Sequence, residues 1–190
     1  MTRKSKILIA TGGTGGHVFP AYSLANYFLK NNYNVKMTTD NRGFNYLKDY
    51  KNLNLIKIPS SPLIKKNILK FFLSIFIILF SIIRSIIFLL FNRPSIVFGM
   101  GSYSSFPVCI AAIILRVKFV IYENNLIIGK ANKYLLFFAN KIFVSSKNLE
   151  GVPKKYNDKV LEIGNIVREE IIDSKLGNTL NKNFDDIKIL

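Results

Sequence analysis

The most informative stretch of this 190-residue chain is residues 6–20, with the sequence KILIATGGTGGHVFP. Its apolar start is typical of a buried parallel strand, its glycines predict a tight turn, and the apolar periodicity of residues 18–29 predicts a helix. Glycines let the backbone approach a bulky ligand, and the N–H groups and dipole of a helix N-terminus favour negative charge. The stretch therefore predicts a diphosphate site, although a tight turn without any ligand uses the same residue types.

Two common nucleotide-binding motifs are excluded by the spacing within this stretch. The dinucleotide fingerprint G-x-G-x-x-G, started at Gly13, requires a third glycine where the chain has Val18. A P-loop requires a lysine after its second glycine, and here Gly16 is followed by His17. The failed fingerprint disfavours a nucleotide-dependent oxidoreductase.

The charge of the chain favours an anionic partner. Lys and Arg number 27 against 11 Asp and Glu, a net charge of +16, which suits anionic lipid headgroups or a phosphorylated substrate. A general compositional bias would also produce this excess, since many of the lysines are scattered along the chain. No nucleic acid is expected as a partner, because the chain has no arginine-rich block and no basic strand interleaved with aromatic residues.

The small number of possible metal ligands and the composition of the N-terminus further limit which cofactors and which cell compartment are expected. Cys109 is the one cysteine and lies in an apolar helical run, so we expect a small buried hydrophobic residue in a reducing compartment. With one histidine, one cysteine and no D-x-D motif, neither a metal nor a cofactor is expected. The apolar run before the first glycine is too short for a signal-peptide core, and the expected location is the cytoplasm.

The remaining pattern alternates strands with helices, which predicts an α/β fold with a doubly wound parallel sheet. The predicted strands are residues 6–10, 34–39, 53–58, 95–98, 118–122, 141–145 and 159–163, and the predicted helices are residues 18–29, 42–50, 68–91, 103–115 and 130–139. Ligands of such sheets bind at the carboxyl ends of the strands. Residues 11–17, 99–105, 123–125 and 164–165 are therefore expected along one rim.

The end of the chain predicts a domain boundary. Residues 1–173 are expected to form one domain, and the polar residues 174–185 are typical of a linker. Residues 186–190, DIKIL, resemble the start of a strand that cannot stabilise itself alone. Residues 174–190 are therefore interpreted as the linker and first strand of a truncated second domain.

The predicted helix at residues 68–91 is long enough to span a bilayer. Its polar residues form one narrow stripe and leave more apolar surface than packing on a sheet requires; the stripe comprises Asn67, Lys70, Ser74, Ser81, Arg84 and Asn92. We expect docking on an anionic membrane surface through Ile68, Phe72, Ile75 and Leu79, with a core helix or a membrane span as alternatives. A span would place neighbouring strands on opposite sides of the membrane.

Four motifs together resemble the N-terminal half of the MurG family of peptidoglycan glycosyltransferases. They are ATGGTGGHVFPA at residues 10–21, GMGSYSSFP at 99–107, YENNLIIGKANK at 122–133 and GNIVR at 164–168. The resemblance implies the Rossmann-like N-terminal half of a GT-B enzyme. It also implies inverting transfer of GlcNAc from UDP-GlcNAc to lipid I, giving lipid II at the cytoplasmic face of the inner membrane. The alternative is a non-catalytic, membrane-anchoring subunit of a split UDP-sugar glycosyltransferase.

The resemblance also implies roles for individual residues. UDP-GlcNAc would be contacted by Thr14, Gly15, Gly16, Asn125 and Arg168, and the diphosphate of the acceptor by Gly12, Gly13, Gly99, Gly101, Ser102 and Tyr103. Transfer to a sugar hydroxyl requires a base that is neutral near pH 7, and the helix dipole would keep His17 in that form. Glu123 is the rival base or an orienting carboxylate.

The chain departs from the family pattern at three places. The family usually has His-Glu-Gln-Asn where this chain has residues 122–125, YENN, and a second glycine where this chain has Ser102. It usually has a proline where this chain has Ile166. These departures concern the approach of the backbone to a ligand at Ser102 and the shape of the loop after Tyr122.

Overall fold

The computed structural model describes residues 5–62 and 67–167. The seven strands in these residues form one parallel sheet in the order β3-β2-β1-β4-β5-β6-β7. The strands are β1 Lys6–Ala10, β2 Asn34–Thr39, β3 Leu55–Lys57, β4 Ile96–Gly99, β5 Phe119–Glu123, β6 Lys141–Val144 and β7 Val160–Glu162. The helices are α1 Gly15–Lys30, α2 Asn41–Leu47, α3 Ile68–Asn92, α4 Ser102–Ile114 and α5 Lys130–Leu135, and a 3-10 helix covers Lys154–Lys159.

The predicted doubly wound sheet is confirmed. Every predicted strand and helix is present, with shorter bounds at α2, β3, α5 and β7. Helix α1 begins at Gly15, earlier than the predicted residue 18, and the 3-10 helix before β7 was not predicted. The predicted linker and second-domain strand at residues 174–190 lie outside the described residues and stay predictions.

The direction of winding reverses between β1 and β4, which are neighbours in the sheet. Ala10, the last residue of β1, lies opposite Gly99, the last residue of β4. The turns that follow these two residues therefore begin side by side at the carboxyl edge of the sheet. In open α/β sheets this switch point is where ligands bind.

Two apolar clusters cover the two faces of the sheet because successive strand residues point to opposite sides. Ile7 and Ile9 of β1 pack with Val18 of α1 in one cluster. Leu8 packs in the other cluster with Leu89 of α3, together with residues of α4 and α5. Helices α1 and α2 thus cover one face of the sheet, and α3, α4 and α5 cover the other.

Helix α3 packs on the domain mainly through serines, together with Leu89 near its C-terminal end. Ser74, Ser81 and Ser85 are buried, and the Ser81 hydroxyl donates to the backbone carbonyl of Pro59 at 2.6 Å. The predicted polar stripe is therefore divided, since its serines face the protein whereas Lys70 and Arg84 are exposed. Small side chains let α3 lie close against α4.

The opposite face of α3 is apolar and exposed. Its exposed large side chains are Ile68, Leu69, Phe72, Leu73, Phe76, Leu79, Phe80, Ile83, Ile87, Leu90 and Phe91. Ile68, Phe72 and Leu79 of the predicted membrane-docking set are thus exposed, and Ile75 is half-buried. This exposure contradicts the core-helix alternative, because such a helix would bury its large apolar residues.

Within the described part of the chain, α3 is long and apolar enough to cross a bilayer, and 22% of its most apolar window is buried. Strands β3 and β4 on either side of α3 belong to the same parallel sheet. A span would place the two strands on opposite sides of a membrane, which disagrees with the observed sheet.

Replacing Ser81 by leucine should destabilise the domain, although leucine is the better helix former. The larger side chain has no room against the protein and loses the hydroxyl bond to Pro59. We expect the free energy of unfolding to fall by about 1–3 kcal/mol, measured from urea unfolding curves. The reverse change Leu79→Ser, on the exposed face, should cost only about 0.5 kcal/mol; equal costs would contradict this packing.

Candidate functional site

The turn after β1, which contains Gly12 and Gly13, packs against the turn after β4, which contains Gly101, at the switch point. These are the two glycine turns of the domain. A Cβ on Gly12 would lie 2.6 Å from Cβ of Ser104, and one on Gly13 would lie 2.7 Å from Oγ of Ser102. A Cβ on Gly101 would lie 2.8 Å from the ring of His17. Glycine is therefore required for the loop after β1 to pack directly on the start of α4.

The predicted acceptor residues are brought together by this packing. Gly99 ends β4, and Gly101 and Ser102 follow it with φ values of +77° and +63°. Ser102 thus occupies a left-handed conformation that favours glycine, at the position where the family usually has one. Thr14 and Gly101, the residues before α1 and α4, make no side-chain bond to their helices, so the first N–H groups of both helices have no side-chain cap.

His17 lies in the first turn of α1 with its ring against the loop of Gly101. Burial lowers the pKa of His17 below its ordinary value of 6.5, while the charge of Glu123 and a hydrogen bond with the Met100 backbone oppose that shift. The lowered pKa means that the ring is neutral at pH 7. A neutral imidazole at this place is chemically able to accept a proton.

Glu123 is a buried carboxylate that accepts several hydrogen bonds. It takes bonds from the backbone N–H of Asn125 at 3.1 Å and of Gly129 at 2.8 Å. The side-chain amides of Asn125 and Asn132 donate to it at 2.7 and 3.0 Å. Since its lone pairs are engaged and the residue is 1% exposed, the geometry favours the orienting role over the base role.

Asn125, predicted to contact the UDP-sugar, is exposed at the rim with its amide nitrogen held by Glu123. Thr14 and Gly16 are exposed, and Gly15 is half-buried. Arg168, the remaining residue of that set, lies outside the described residues. Cys109 is buried as predicted, and burial raises the pKa of its thiol to about 12.

Tyr122 and Ile166, two residues that depart from the family pattern, are hydrogen-bonded to each other. The Tyr122 hydroxyl accepts a hydrogen bond from the backbone N–H of Ile166 at 3.2 Å and donates to the Gly164 carbonyl at 3.2 Å. A proline at residue 166 has no N–H to donate. Tyr122 and Ile166 together therefore hold the segment at 164–166 against the end of β5.

One carboxylate of the rim was missed by the sequence analysis. Asp40 follows β2 and accepts bonds from the N–H groups of Gly13 at 3.1 Å and Gly43 at 2.8 Å. Burial alone would raise the pKa of Asp40, but these N–H bonds, with Ser104 and Arg42, lower it overall. The sequence position of Asp40 could have indicated a place at the rim, because Asp40 directly follows β2 and the parallel strands β2, β1 and β4 end at the same edge.

No group of three or more His, Cys, Asp or Glu side chains in residues 5–62 and 67–167 is placed to hold a metal ion. The donors at the rim are instead backbone N–H groups, hydroxyls and the Arg42 guanidinium. Such a set suits a phosphorylated ligand.

A family profile described as the glycosyltransferase family 28 N-terminal domain matches residues 7–144. The chain belongs to this family. The matched range contains both glycine turns, His17 and Glu123. Family membership confirms the resemblance that was based on the four motifs.

Curated relatives of this family 28 domain carry a common name. Proteins of Pelagibacter ubique and Rickettsia felis are 36% and 35% identical to it, covering 97% and 96% of this chain. Both are named UDP-N-acetylglucosamine–N-acetylmuramyl-(pentapeptide) pyrophosphoryl-undecaprenol N-acetylglucosamine transferase. The matches cover 50% of each relative, so the chain spans about half the length of these proteins.

Solved structures share the fold of the family 28 domain. MurG of Acinetobacter baumannii has a TM-score of 0.68 at 24% identity, over 84% of this chain and 45% of that one. A UDP-GlcNAc 2-epimerase of Neisseria meningitidis, solved with UDP-GlcNAc, has a TM-score of 0.58 at 17% identity, over 96% and 54%. At these identities the likeness concerns the fold alone.

The interlocked turns of this family 28 domain can be tested with Gly12→Ala. The added Cβ would clash with Ser104, and we expect the free energy of unfolding to fall by about 1–3 kcal/mol. Gly16→Ala is the matched control, because its Cβ would meet nothing closer than 3.8 Å, and it should change stability by about 0.5 kcal/mol or less. Thermal or urea unfolding measures both, and a harmless Gly12→Ala would refute the interlock.

Proposed function

We propose that this chain is the acceptor- and membrane-binding half of an inverting glycosyltransferase of peptidoglycan synthesis. The whole enzyme transfers GlcNAc from UDP-GlcNAc to undecaprenyl-pyrophosphoryl-MurNAc-pentapeptide, lipid I, and forms lipid II. The observation that carries the proposal is the junction of the two glycine turns at one rim, in a chain similar to transferases of that name. Residues 1–173 form this half, and residues 174–190 lead into a donor-binding domain.

The acceptor diphosphate binds where the two turns meet. Gly12, Gly13 and Gly101 are buried and let the two turns pack closely, which brings the beginnings of α1 and α4 together. The N–H groups that begin these two helices have no side-chain cap and favour a bound negative charge. These donors are held by the sheet before a ligand arrives. The beginning of α1 and the loop of Asn125 reach the UDP-sugar of the donor.

His17 is the general base of the transfer. It accepts the proton of the acceptor hydroxyl as the oxygen bonds to C1 of GlcNAc and the bond from C1 to UDP breaks. Its pKa is lowered by burial, so the ring is ready to accept a proton at pH 7. Glu123 acts through position, since its bonds hold the loop of Asn125 and Gly129.

The decisive experiment joins this chain to the continuation of its own gene and measures GlcNAc transfer to lipid I. We expect transfer, and we expect His17→Ala to lower kcat about 10²- to 10⁴-fold because the proton acceptor is lost. Because the pKa of His17 is lowered from 6.5, activity should persist below pH 6.5 and fall only as the ring becomes protonated.

The control for this assay is the melting temperature of each variant, which separates lost catalysis from lost folding. Near-normal turnover of a folded His17→Ala protein would refute the base role. Complete absence of transfer by the joined wild-type protein would favour the alternative, a non-catalytic anchoring subunit of a split UDP-sugar glycosyltransferase.

The exposed face of α3 docks the enzyme on the cytoplasmic face of the inner membrane as a peripheral protein. Ile68, Phe72 and Leu79 lie on this face, and the buried serines of the helix lie on the opposite side, against the domain. Lys70 and Arg84 flank it and are exposed, which suits anionic headgroups. Docking would bring the glycine turns near a lipid-linked substrate.

Membrane docking predicts a change in vesicle binding. Phe72→Ser with Leu79→Ser should weaken cosedimentation with anionic phospholipid vesicles about tenfold or more, because two large apolar side chains no longer enter the interface. Tyr27→Ser is the matched control, since Tyr27 is 59% exposed on α1 across the sheet, and it should bind as the wild type does. Equal binding by the double variant and the control would contradict docking through α3.

A further inference from the structure

Arg42 places a cation beside the two glycine turns, at a position that none of the sequence motifs includes. Its Nη2 atom lies 3.6 Å from the point that a Cβ on Gly13 would occupy. Its Cζ atom lies 5.1 Å from the centre of the Tyr103 ring. Gly13 belongs to the turn after β1 and Tyr103 to the start of α4, so the guanidinium lies where the two turns meet.

The guanidinium is oriented by a buried carboxylate. Nε and Nη2 of Arg42 both lie 3.4 Å from Oδ2 of Asp40. Oδ1 of Asp40 accepts the N–H groups of Gly13 and Gly43, and the Ser60 hydroxyl donates to Oδ2 at 3.2 Å. Asp40 therefore fixes the glycine turn and the arginine together.

Arg42 keeps donors for a ligand. An arginine has five N–H donors in a planar fork, and the two contacts to Asp40 use only part of that fork. The side chain is 53% exposed, whereas that of Asp40 is 8% exposed. A purely structural ion pair does not require a guanidinium that is exposed and lies over the Tyr103 ring at the junction of the two turns.

We propose that Arg42 binds the pyrophosphate of the acceptor by bidentate hydrogen bonds at the junction of the two glycine turns. This inference rests on the proposed function, and it adds a charged residue to a site otherwise made of backbone and hydroxyl donors. Guanidinium geometry matches phosphate oxygens, and the Tyr103 ring holds the cation in place. The nucleotide diphosphate of the donor has the same chemistry, but Arg42 lies beside Gly13 and Tyr103, which both belong to the predicted acceptor set.

The test is isothermal titration calorimetry of the 190-residue chain, with inorganic pyrophosphate and, separately, with UDP as the titrant, at one low salt concentration. Arg42→Ala should raise the Kd for pyrophosphate about ten- to a hundredfold, and Arg42→Lys should recover part of the loss because charge returns without the fork. Lys48→Ala is the matched control, since it removes the same charge from the exposed end of α2. It should bind pyrophosphate as the wild type does.

Each outcome separates this inference from the proposed function. Unchanged pyrophosphate binding by a folded Arg42→Ala chain would overturn the role of Arg42 and leave the diphosphate site standing. An equal loss of pyrophosphate affinity in Lys48→Ala would show that the effect comes from net charge alone. A loss of affinity for UDP only would assign Arg42 to the donor site. Either result overturns the inference. Absence of pyrophosphate binding by the wild-type chain would overturn both the inference and the acceptor site.

Discussion

The close approach of the turn after β1 to the start of α4 is the constraint on which the rest of the site depends. Neighbouring parallel strands end at one edge, and Ala10 lies opposite Gly99 there. Both connections must then pass through the same small volume. Glycines make this possible, because a single added Cβ on Gly12 or Gly13 would lie within 2.7 Å of a serine atom. The space saved in this way is what brings backbone N–H groups and His17 to one place.

Buried carboxylates hold this rim in shape. Asp40 bonds to the turn after β1, and Glu123 bonds to the loop after β5. Burying a charge is costly unless it is hydrogen-bonded, and both residues meet that cost with several N–H or hydroxyl donors. Asp40 joins segments that are distant in sequence, because its donors include Gly13 and Ser60. The donors to Glu123 all lie within residues 125–132, so this carboxylate fixes a single loop. The rim is thereby organised before any ligand arrives, which favours binding and catalysis.

Helix α3 shows that amphipathicity does not by itself tell which side of a helix is buried. Its serines face the protein because their size allows close approach to α4 and their hydroxyls find acceptors, as Ser81 does at Pro59. Leu89 near the end of the helix lies in the core, whereas most of its other large side chains are exposed on the outside of the domain. A fold that leaves this much apolar surface exposed on one helix requires a second surface, protein or lipid, to cover it.

The order and type of the strands and helices were determined by the local sequence, since apolar periodicity and glycine positions act within a few residues. The glycine turns, His17 and the apolar surplus of residues 68–91 were visible in the same way. The contacts between segments came from the tertiary structure: Asp40 with Gly13, Arg42 with Tyr103, and Tyr122 with Ile166. These partners lie far apart along the chain, and only strand order and close packing bring them within bonding distance. Ser74, Ser81 and Ser85 face the protein only because α3 packs against α4. The sequence of an isolated helix does not specify which of its sides will be buried.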